Sequence, residues 1–290
     1  MLYLLIDAGG TAFKCALYDP AAARLLPAWQ IPVDSQGTAE TIQAAWQHAA
    51  SQAKRQAEAQ EKRIGGVCVS TPGPFDFENG VSRMTHKFAA INGLPIRPWL
   101  QAVLADAPVS FLHDSTAFLL GVTDEASCSP AGVMLGTGFG FACMQKGRIL
   151  VNAQRGPAYS LWNHPFRGGI VEDTISRRAL RAAYRRMGGK DDADVREIAL
   201  RARGGEQAAQ RVFDELGCAL GELLPPILHD LHCDALLLGG QISLSGDLFL
   251  PKLKQALSIP VACRAYPEAA LQGAARFLTG GGAQNLEQVL

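Results

Sequence analysis

Two glycine-rich segments combine residue types that suit phosphate binding. The first reads Asp7-Ala-Gly-Gly-Thr11, and the second reads Gly136-Thr-Gly-Phe-Gly140. Glycines let backbone amides approach a phosphate closely, and successive amides can form an anion-binding concavity. The Thr11 hydroxyl adds a donor, and Asp7 is placed to hold Mg²⁺ against the phosphate, directly or through water. We therefore expect phosphate contacts from Gly9, Gly10, Thr11, Gly136, Thr137, Gly138 and Gly140.

Each segment taken singly also fits an ordinary glycine turn of a β-hairpin. Neither is a G-x-G-x-x-G motif, and neither is a Walker A loop, because no Gly-Lys-Ser/Thr follows. The pair favours the phosphate interpretation: two glycine hairpins in equivalent places of two repeats would hold a polyphosphate from both sides.

Two further segments contain candidate functional residues at the ends of predicted strands. Asp114 follows the apolar segment 108–112 and begins an apolar helix. A carboxylate there can cap the helix, or it can act as a general base, because ligands bind beyond the carboxyl ends of strands in α/β sheets. Gly239 and Gly240 end another strand, where they either make a tight turn or let a flat ligand lie against the backbone.

The elements that must position these residues are repeated along the chain. The first half is predicted as βββαβαβα, with a third strand at 24–33 and helices at 39–62, 96–106 and 114–124. The second half repeats this order and continues with helices at 171–187, 192–203, 206–231, 247–257 and 268–279. Antiparallel strands followed by β–α crossovers predict an α/β fold, in which mixed sheets carry helices on their faces.

Composition excludes several classes of function. Lys+Arg and Asp+Glu both number 27, so no net charge draws the chain to nucleic acid or to an anionic membrane. The arginine-rich helix after residue 176 is interpreted as a solvated or subunit-contact face. Seven cysteines without a C-x-x-C spacing predict reduced thiols, and the lack of a signal peptide or long apolar span predicts a cytoplasmic protein.

The motifs, in this order over nearly the whole chain, resemble those of the ROK family (repressors, open reading frames, kinases) of sugar kinases in the actin-like ATPase superfamily. The matching segments are the phosphate motifs at 7–11 and 135–140, the adenosine motif at 238–240, the stretch 71–80 before the sugar site, His113-Asp114, Glu172 and the closing helix at 270–275.

The resemblance implies duplicated ribonuclease-H-like (actin-like ATPase) domains. Residues 1–113, completed by a C-terminal helix at 268–290, would form the N-terminal domain, and residues 114–267 the C-terminal domain. It also implies ATP and Mg²⁺ as cofactors and Asp114 as the catalytic base. The family further implies a homodimer, which nothing in the residues themselves indicates. The implied substrate-binding residues are Gly73, Lys87, His113 and Glu172; Gly239 and Gly240 would contact adenosine.

The sequence departs from the family pattern on the substrate side. The family's zinc site, one His and three closely spaced Cys, is replaced by a shorter loop without cysteine at 162–170, so we predict no zinc site. His164 survives there, and we interpret it as a surface or sugar-contacting residue. The family's Glu-x-Gly-His sugar motif is missing, and His113 and Lys87 stand where the family usually has Asn.

We therefore expect a kinase that phosphorylates a hydroxyl of a sugar, with hexoses, amino sugars and glycosides all open as substrates. The alternative is a non-catalytic, sugar-sensing regulatory protein of the same family. Because the first phosphate motif begins at Asp7, we expect no helix-turn-helix domain ahead of it. A nicotinamide-dependent oxidoreductase is disfavoured, because no G-x-G-x-x-G opens a helix.

Overall fold

A computed structural model describes residues 1–124, 128–190, 192–280 and 282–289. The strands are β1 (Leu2–Ala8), β2 (Ala12–Asp19), β3 (Arg24–Leu25), β4 (Trp29–Pro32), β5 (Ile64–Thr71), β6 (Phe75–Asp76), β7 (Val81–Ser82), β8 (Val109–His113), β9 (Pro130–Leu135), β10 (Phe139–Gln145), β11 (Arg148–Val151), β12 (Pro165–Phe166), β13 (Gly169–Ile170), β14 (Ala235–Gly239), β15 (Val261–Cys263) and β16 (Leu286–Gln288). The helices are α1 (Ala39–Glu58), α2 (Arg97–Leu104), α3 (Asp114–Val122), α4 (Val171–Thr174), α5 (Arg177–Arg186), α6 (Val195–Arg203), α7 (Gln207–Asp230), α8 (Gly246–Ala256) and α9 (Ala269–Thr279).

The chain divides into two compact units. Unit 1 comprises Met1–Val122, Leu150–Ala158 and Glu268–Leu290, and unit 2 comprises Thr123–Ile149 and Tyr159–Pro267. Within the described residues, none of the helices has both the length and the apolar character that crossing a bilayer requires.

The sheet of unit 1 is mixed. Its strand order is β3-β2-β1-β5-β8, with β4 also paired to β2. Strands β1 and β2 form an antiparallel hairpin, whereas β1, β5 and β8 run parallel. Helix α1 covers the sheet with a small, Ala-rich face on which Trp46 is the one large residue, its ring centroid 4.2 Å from that of Phe13. The parallel strands therefore end at one edge of the sheet.

Unit 2 repeats this arrangement. Strands β9 and β10 form the antiparallel hairpin, and β14 runs parallel to both β9 and β15. Helices α5 to α8 belong to this unit. The predicted α/β class with mixed, helix-flanked sheets is confirmed.

Helix α3 lies in unit 1, although we expected a domain boundary before Asp114. The reason is its packing against α9, in which glycines let the two backbones touch. A Cβ atom on Gly121 would lie 1.9 Å from the Ala269 carbonyl oxygen, and one on Gly273 would lie 1.7 Å from that of Ala117. The residues that begin the second predicted domain are thus held by the end of the chain.

The C-terminal helix ends at Thr279, as the helix predicted from the residues at 268–279 does, whereas the bound of 290 that the resemblance implied is too long. A further strand, β16, follows it. The amide of Val289 donates to the Val151 carbonyl, 2.9 Å away, within unit 1. The backbone near Val289 is thus hydrogen-bonded to the strand that ends at Val151, and not within a continued helix.

One strand and one helix, each predicted as a single element, are divided in two in the structure. The strand expected at 24–33 is β3 and β4, separated by Pro27, which lacks the amide a sheet ladder needs. The helix expected at 171–187 is α4 and α5. Ser176 has extended backbone between them, and its hydroxyl caps α5 by accepting from the Ala179 amide.

Gly273→Ala tests the α3–α9 contact. The added methyl group would collide with backbone that cannot move away, so we expect a loss of about 1–3 kcal/mol in the free energy of unfolding. Gln272→Ala, at the neighbouring position of the same helix, is the control and should change stability by less than about 1 kcal/mol. Denaturant titration measures both; equal stabilities would show that the close approach is unimportant.

Candidate active site

The predicted residues of unit 1 meet at the carboxyl ends of its parallel strands. Asp7 near the end of β1 is in register with Ser70 of β5, and Thr71 of β5 is in register with His113 of β8. Asp114 follows directly as the first residue of α3. Neighbouring parallel strands end together, so residues far apart in sequence become neighbours.

The first glycine turn, residues 9–11, is held from one side by the segment after β4. The amide of Ser35 donates to the Gly10 carbonyl at 3.2 Å, and that of Val33 donates to the Thr11 carbonyl at 3.1 Å. Within the described part of the chain, the amides of Gly10 and Thr11 donate to no protein acceptor. The turn thus keeps two backbone donors for a ligand, as the phosphate interpretation requires.

Asp7 is a crowded carboxylate. Burial first, and the charge of Asp114 second, raise its pKa to about 6, against a hydrogen bond from the Ser70 hydroxyl and the charge of Lys14. The Ser70 Oγ donates to Asp7 Oδ1 across 3.4 Å. A cation bound here would relieve the repulsion between the two carboxylates. Carboxylate oxygens are also the donors that Mg²⁺ prefers, so the residues fit that ion.

Asp114 has the opposite electrostatic setting. Burial acts to raise its pKa, but the charge and hydrogen bond of His113 outweigh that effect, and the pKa lies below its usual value. The Ser115 amide and the charge of Lys87 act in the same direction. The Ser115 amide donates to Asp114 Oδ1 at 2.7 Å. The side chain is 34% exposed, so an ionised carboxylate is within reach of a substrate.

His113 fills the space between Gly73 and Asp114. Its Nδ1 lies 2.9 Å from Asp114 Oδ1, and its ring lies 3.6 Å from where a Cβ of Gly73 would be. Phe77 contacts the ring edge-on with centroids 5.6 Å apart. Gly73, His113 and Asp114 therefore form one contiguous group.

Lys87 belongs to the same group. Its Cδ would lie 3.9 Å from a Cβ on Gly10, and its charge lowers the pKa of Asp114. The structure thus brings together in unit 1 the predicted residues Asp7, Gly9, Gly10, Thr11, Gly73, Lys87, His113 and Asp114.

The predicted residues of unit 2 also meet at one sheet edge. The second glycine turn, residues 136–138, follows β9, and Gly240 follows the parallel strand β14. A Cβ on Gly240 would lie 2.3 Å from the Leu135 carbonyl oxygen, and its φ of +82° favours glycine. The adenosine-like motif and the second glycine turn are therefore neighbours.

Glu172 packs against this second turn. Its Oε2 accepts from the Phe139 amide at 3.3 Å and would lie 2.5 Å from a Cβ on Gly138. The Arg177 amide donates to the Gly136 carbonyl at 2.8 Å. Glu172 thus shapes the turn, and its predicted contact with a sugar stays a prediction.

The loop that stands in place of the family's zinc site is closed by backbone hydrogen bonds. The His164 amide donates to the Leu161 carbonyl at 3.1 Å, and the His164 carbonyl accepts from the Val171 amide at 3.0 Å. The His164 residue is exposed. Across the described ranges, no three His, Cys, Asp or Glu side chains are grouped so as to hold a metal ion.

The arginines of α5 are matched by acidic side chains. The ion pairs are Arg177–Asp194, Arg178–Asp173, Arg181–Asp192, Arg185–Asp192 and Arg186–Glu215. This local neutralisation fits the solvated-face interpretation better than nucleic-acid binding.

Two serines shape the site, and neither was among the residues predicted from the sequence. Ser70 donates to Asp7, and Ser35 supports both Gly10 and the segment that carries Lys87. The position of Ser70 at the end of an apolar strand was an available signal. Ser35 carries none, because its partners are distant in sequence.

Comparisons place the chain among known proteins. The sequence model of the ROK family matches residues 3–159 and 163–275. A glucokinase from Thermotoga maritima is 25% identical over 215 residues, which cover 65% of this chain and 68% of that protein.

Two solved structures share the fold. A ROK family glucokinase from Streptomyces griseus, in complex with glucose and AMPPNP, aligns with a TM-score of 0.77 at 20% identity, covering 97% of this chain and 100% of that chain. A ROK family transcriptional regulator, a homolog of E. coli MLC, aligns with a TM-score of 0.81 at 18% identity, covering 94% of this chain and 76% of that one.

Asp7→Asn should remove a pH-dependent loss of stability. A carboxyl group with a pKa of about 6 in the folded state and about 3.9 in the unfolded state favours folding below pH 4, and this contribution disappears as the pH rises to about 6. In Mg²⁺-free buffer the wild type should therefore lose up to about 3 kcal/mol relative to Asp7→Asn between pH 4 and pH 7. Denaturant titration across that range checks this.

Asp106→Asn, at an exposed position of the same unit, is the matched control and should run parallel to the wild type. If the stability of Asp7→Asn also ran parallel to that of the wild type across this pH range, the raised pKa of Asp7 would be contradicted.

Proposed function

The chain belongs to the ROK family, and from this premise we propose that it is an ATP-dependent kinase that phosphorylates a hydroxyl group of a sugar. One observation carries the proposal. A turn with two unused backbone donors, a crowded carboxylate and an ionised, reachable carboxylate meet at one edge of the unit 1 sheet. Phosphoryl transfer needs these three groups to position phosphate, attract a cation and accept a proton.

Asp114 acts as the general base. Its carboxylate accepts the proton of the attacking hydroxyl while the sugar oxygen forms a bond to the γ-phosphorus. The bond from that phosphorus to the bridging oxygen breaks, which yields a sugar phosphate and ADP. A base with a lowered pKa suits this reaction, because the loose transition state requires little activation of the hydroxyl.

Each unit contains candidate nucleotide-binding residues of its own. In unit 1 the amides of Gly10 and Thr11 would contact phosphate. In unit 2 the glycines of residues 136–140 would contact phosphate, and Gly239 and Gly240 would lie against adenosine. Asp7 would hold Mg²⁺, directly or through water, and the ion would neutralise charge on the phosphates.

Hexoses, amino sugars and glycosides fit the hydroxyl chemistry equally well. Gly73, His113 and Glu172 would contact the acceptor. A homodimer and a cytoplasmic location stay predictions.

The second candidate is a non-catalytic sugar sensor, which the similarity to a ROK family transcriptional regulator favours. The kinase proposal is the stronger, because a sensor has no need of an ionised Asp114 beside a phosphate-type turn. An ADP-release assay over a panel of hexoses, amino sugars and glycosides separates the two. ADP formation with none of the sugars, by protein that binds them, would support the sensor.

Asp114→Asn should lower kcat at least about a hundredfold, because a positioned base contributes ~10²–10⁴ to the rate. Binding of AMPPNP, measured by calorimetry, should persist. Asp106→Asn serves again as the control and should retain the wild-type kcat. Near-wild-type turnover by Asp114→Asn would remove Asp114 from its proposed role.

The loop at 162–170 should not depend on zinc. Its backbone hydrogen bonds close it without a metal, so treatment with a zinc-selective chelator should leave the melting temperature and the Mg²⁺-supported activity unchanged. Elemental analysis of the purified protein should find no stoichiometric zinc. A fall in melting temperature that added zinc reverses would contradict this prediction.

A further inference from the structure

Lys87 is a half-buried cation that, within the described part of the chain, forms no ion pair at contact distance. Among the residues that the structure describes, no carboxylate pairs with its ammonium group, and no hydrogen bond involves it. Most exposed lysines need no explanation, but a lysine that is partly withdrawn from water loses solvation that an anion would restore. The setting of Lys87 therefore points to an anionic ligand.

The backbone around Lys87 is firmly anchored beside the first glycine turn. The Phe88 amide donates to the Ser35 carbonyl at 2.7 Å, and the Ser35 amide donates to the Gly10 carbonyl at 3.2 Å. The Phe88 ring is buried, 6.3 Å from the ring of Phe13. These contacts set Lys87 at a fixed place next to Gly10.

The side chain of Lys87 acts on two predicted functional groups. Its Cδ would be in van der Waals contact with a Cβ on Gly10, at 3.9 Å. Its charge also acts on Asp114, whose pKa it helps to lower. The stem of this side chain thus lies beside the turn that would hold the donor phosphate, and its charge reaches the carboxylate that would accept the hydroxyl proton.

We propose that the Lys87 ammonium binds the γ-phosphoryl group of ATP and stabilises it during transfer to the sugar. This inference rests on the proposed kinase function and adds a catalytic residue to it. In such a reaction the γ-phosphoryl passes between the phosphate turn, against which the stem of Lys87 lies, and the base, which feels the charge of Lys87. Its equatorial oxygens carry the charge that a fixed cation stabilises.

The same ammonium chemistry would also suit a phosphate or carboxylate on the acceptor sugar. The geometry favours the γ-phosphoryl group, because the lysine chain lies against Gly10 of the phosphate turn. A substituent on the sugar away from the reacting hydroxyl would lie farther from that turn. The two sources make different predictions for nucleotide binding.

The first test is nucleotide binding, which is independent of turnover. Lys87→Gln removes the charge at similar length, and calorimetry with Mg²⁺ compares its affinity for AMPPNP with its affinity for ADP. We expect AMPPNP to bind about three- to tenfold more weakly than to the wild type, with the affinity for ADP unchanged within twofold. Lys54→Gln, on the exposed face of α1, is the matched control and should change neither affinity.

The second test is kinetic, with the best sugar from the ADP-release assay. We expect Lys87→Gln to lower kcat about ten- to a hundredfold at little change in the KM for the sugar, and Lys87→Arg to recover part of the loss. Unchanged affinity for AMPPNP would overturn the inference. So would a loss confined to the KM of anionic sugars, because Lys87 would then bind the acceptor.

The kinase proposal and the proposed role of Lys87 can fail separately. If the wild type binds AMPPNP but phosphorylates no sugar, the kinase proposal fails, while the calorimetric comparison still decides whether Lys87 contacts the γ-phosphoryl group.

Discussion

The site depends on the burial of Asp7 beside a second carboxylate, Asp114, at one edge of the unit 1 sheet. Asp7 lies near the end of β1, and Asp114 begins α3 directly after β8. The parallel register of the sheet brings these ends together. Their surroundings separate their properties: burial and the neighbouring charge raise the pKa of Asp7, while His113 holds that of Asp114 low. Different environments thus give two identical side chains different chemistry. Asp7 is the carboxylate that a bound cation would stabilise most, and Asp114 is the one that is ionised and can accept a proton.

This arrangement requires support from the far end of the chain. Helix α3 begins with Asp114, and its position is fixed by α9 through backbone contacts at Gly121 and Gly273. The Arg276 guanidinium also donates to the Leu120 carbonyl at 2.7 Å. Asp114 is therefore positioned by residues that follow it by some 150 positions, and this packing keeps α3 in unit 1. Close packing makes this coupling stiff, because neither backbone has a side chain that can adjust.

The sequence was a good guide where local chemistry decides the structure. The glycine turns, the strand that leads to Asp114 and the mixed α/β order follow from residue type and spacing, and the structure has them. Long-range partners were not predictable in the same way. The link from Gly10 through Ser35 to Phe88 joins three distant segments, and nothing in the local pattern marks it. Short capping signals were also overlooked, since Ser176 divides a helix that propensity alone would continue.

The residues that replace the family's usual Asn side chains at 87 and 113 act on the same carboxylate. Both lower the pKa of Asp114 and so make it a weaker base. In a reaction driven by nucleophile activation this would be a disadvantage. Phosphoryl transfer through a loose transition state depends more on the neutralisation of charge on the migrating group. Under the proposed function, positive charge next to Asp114 would therefore serve the reaction twice: it would keep the proposed base ionised, and it would supply a counter-charge to the transferred phosphoryl group.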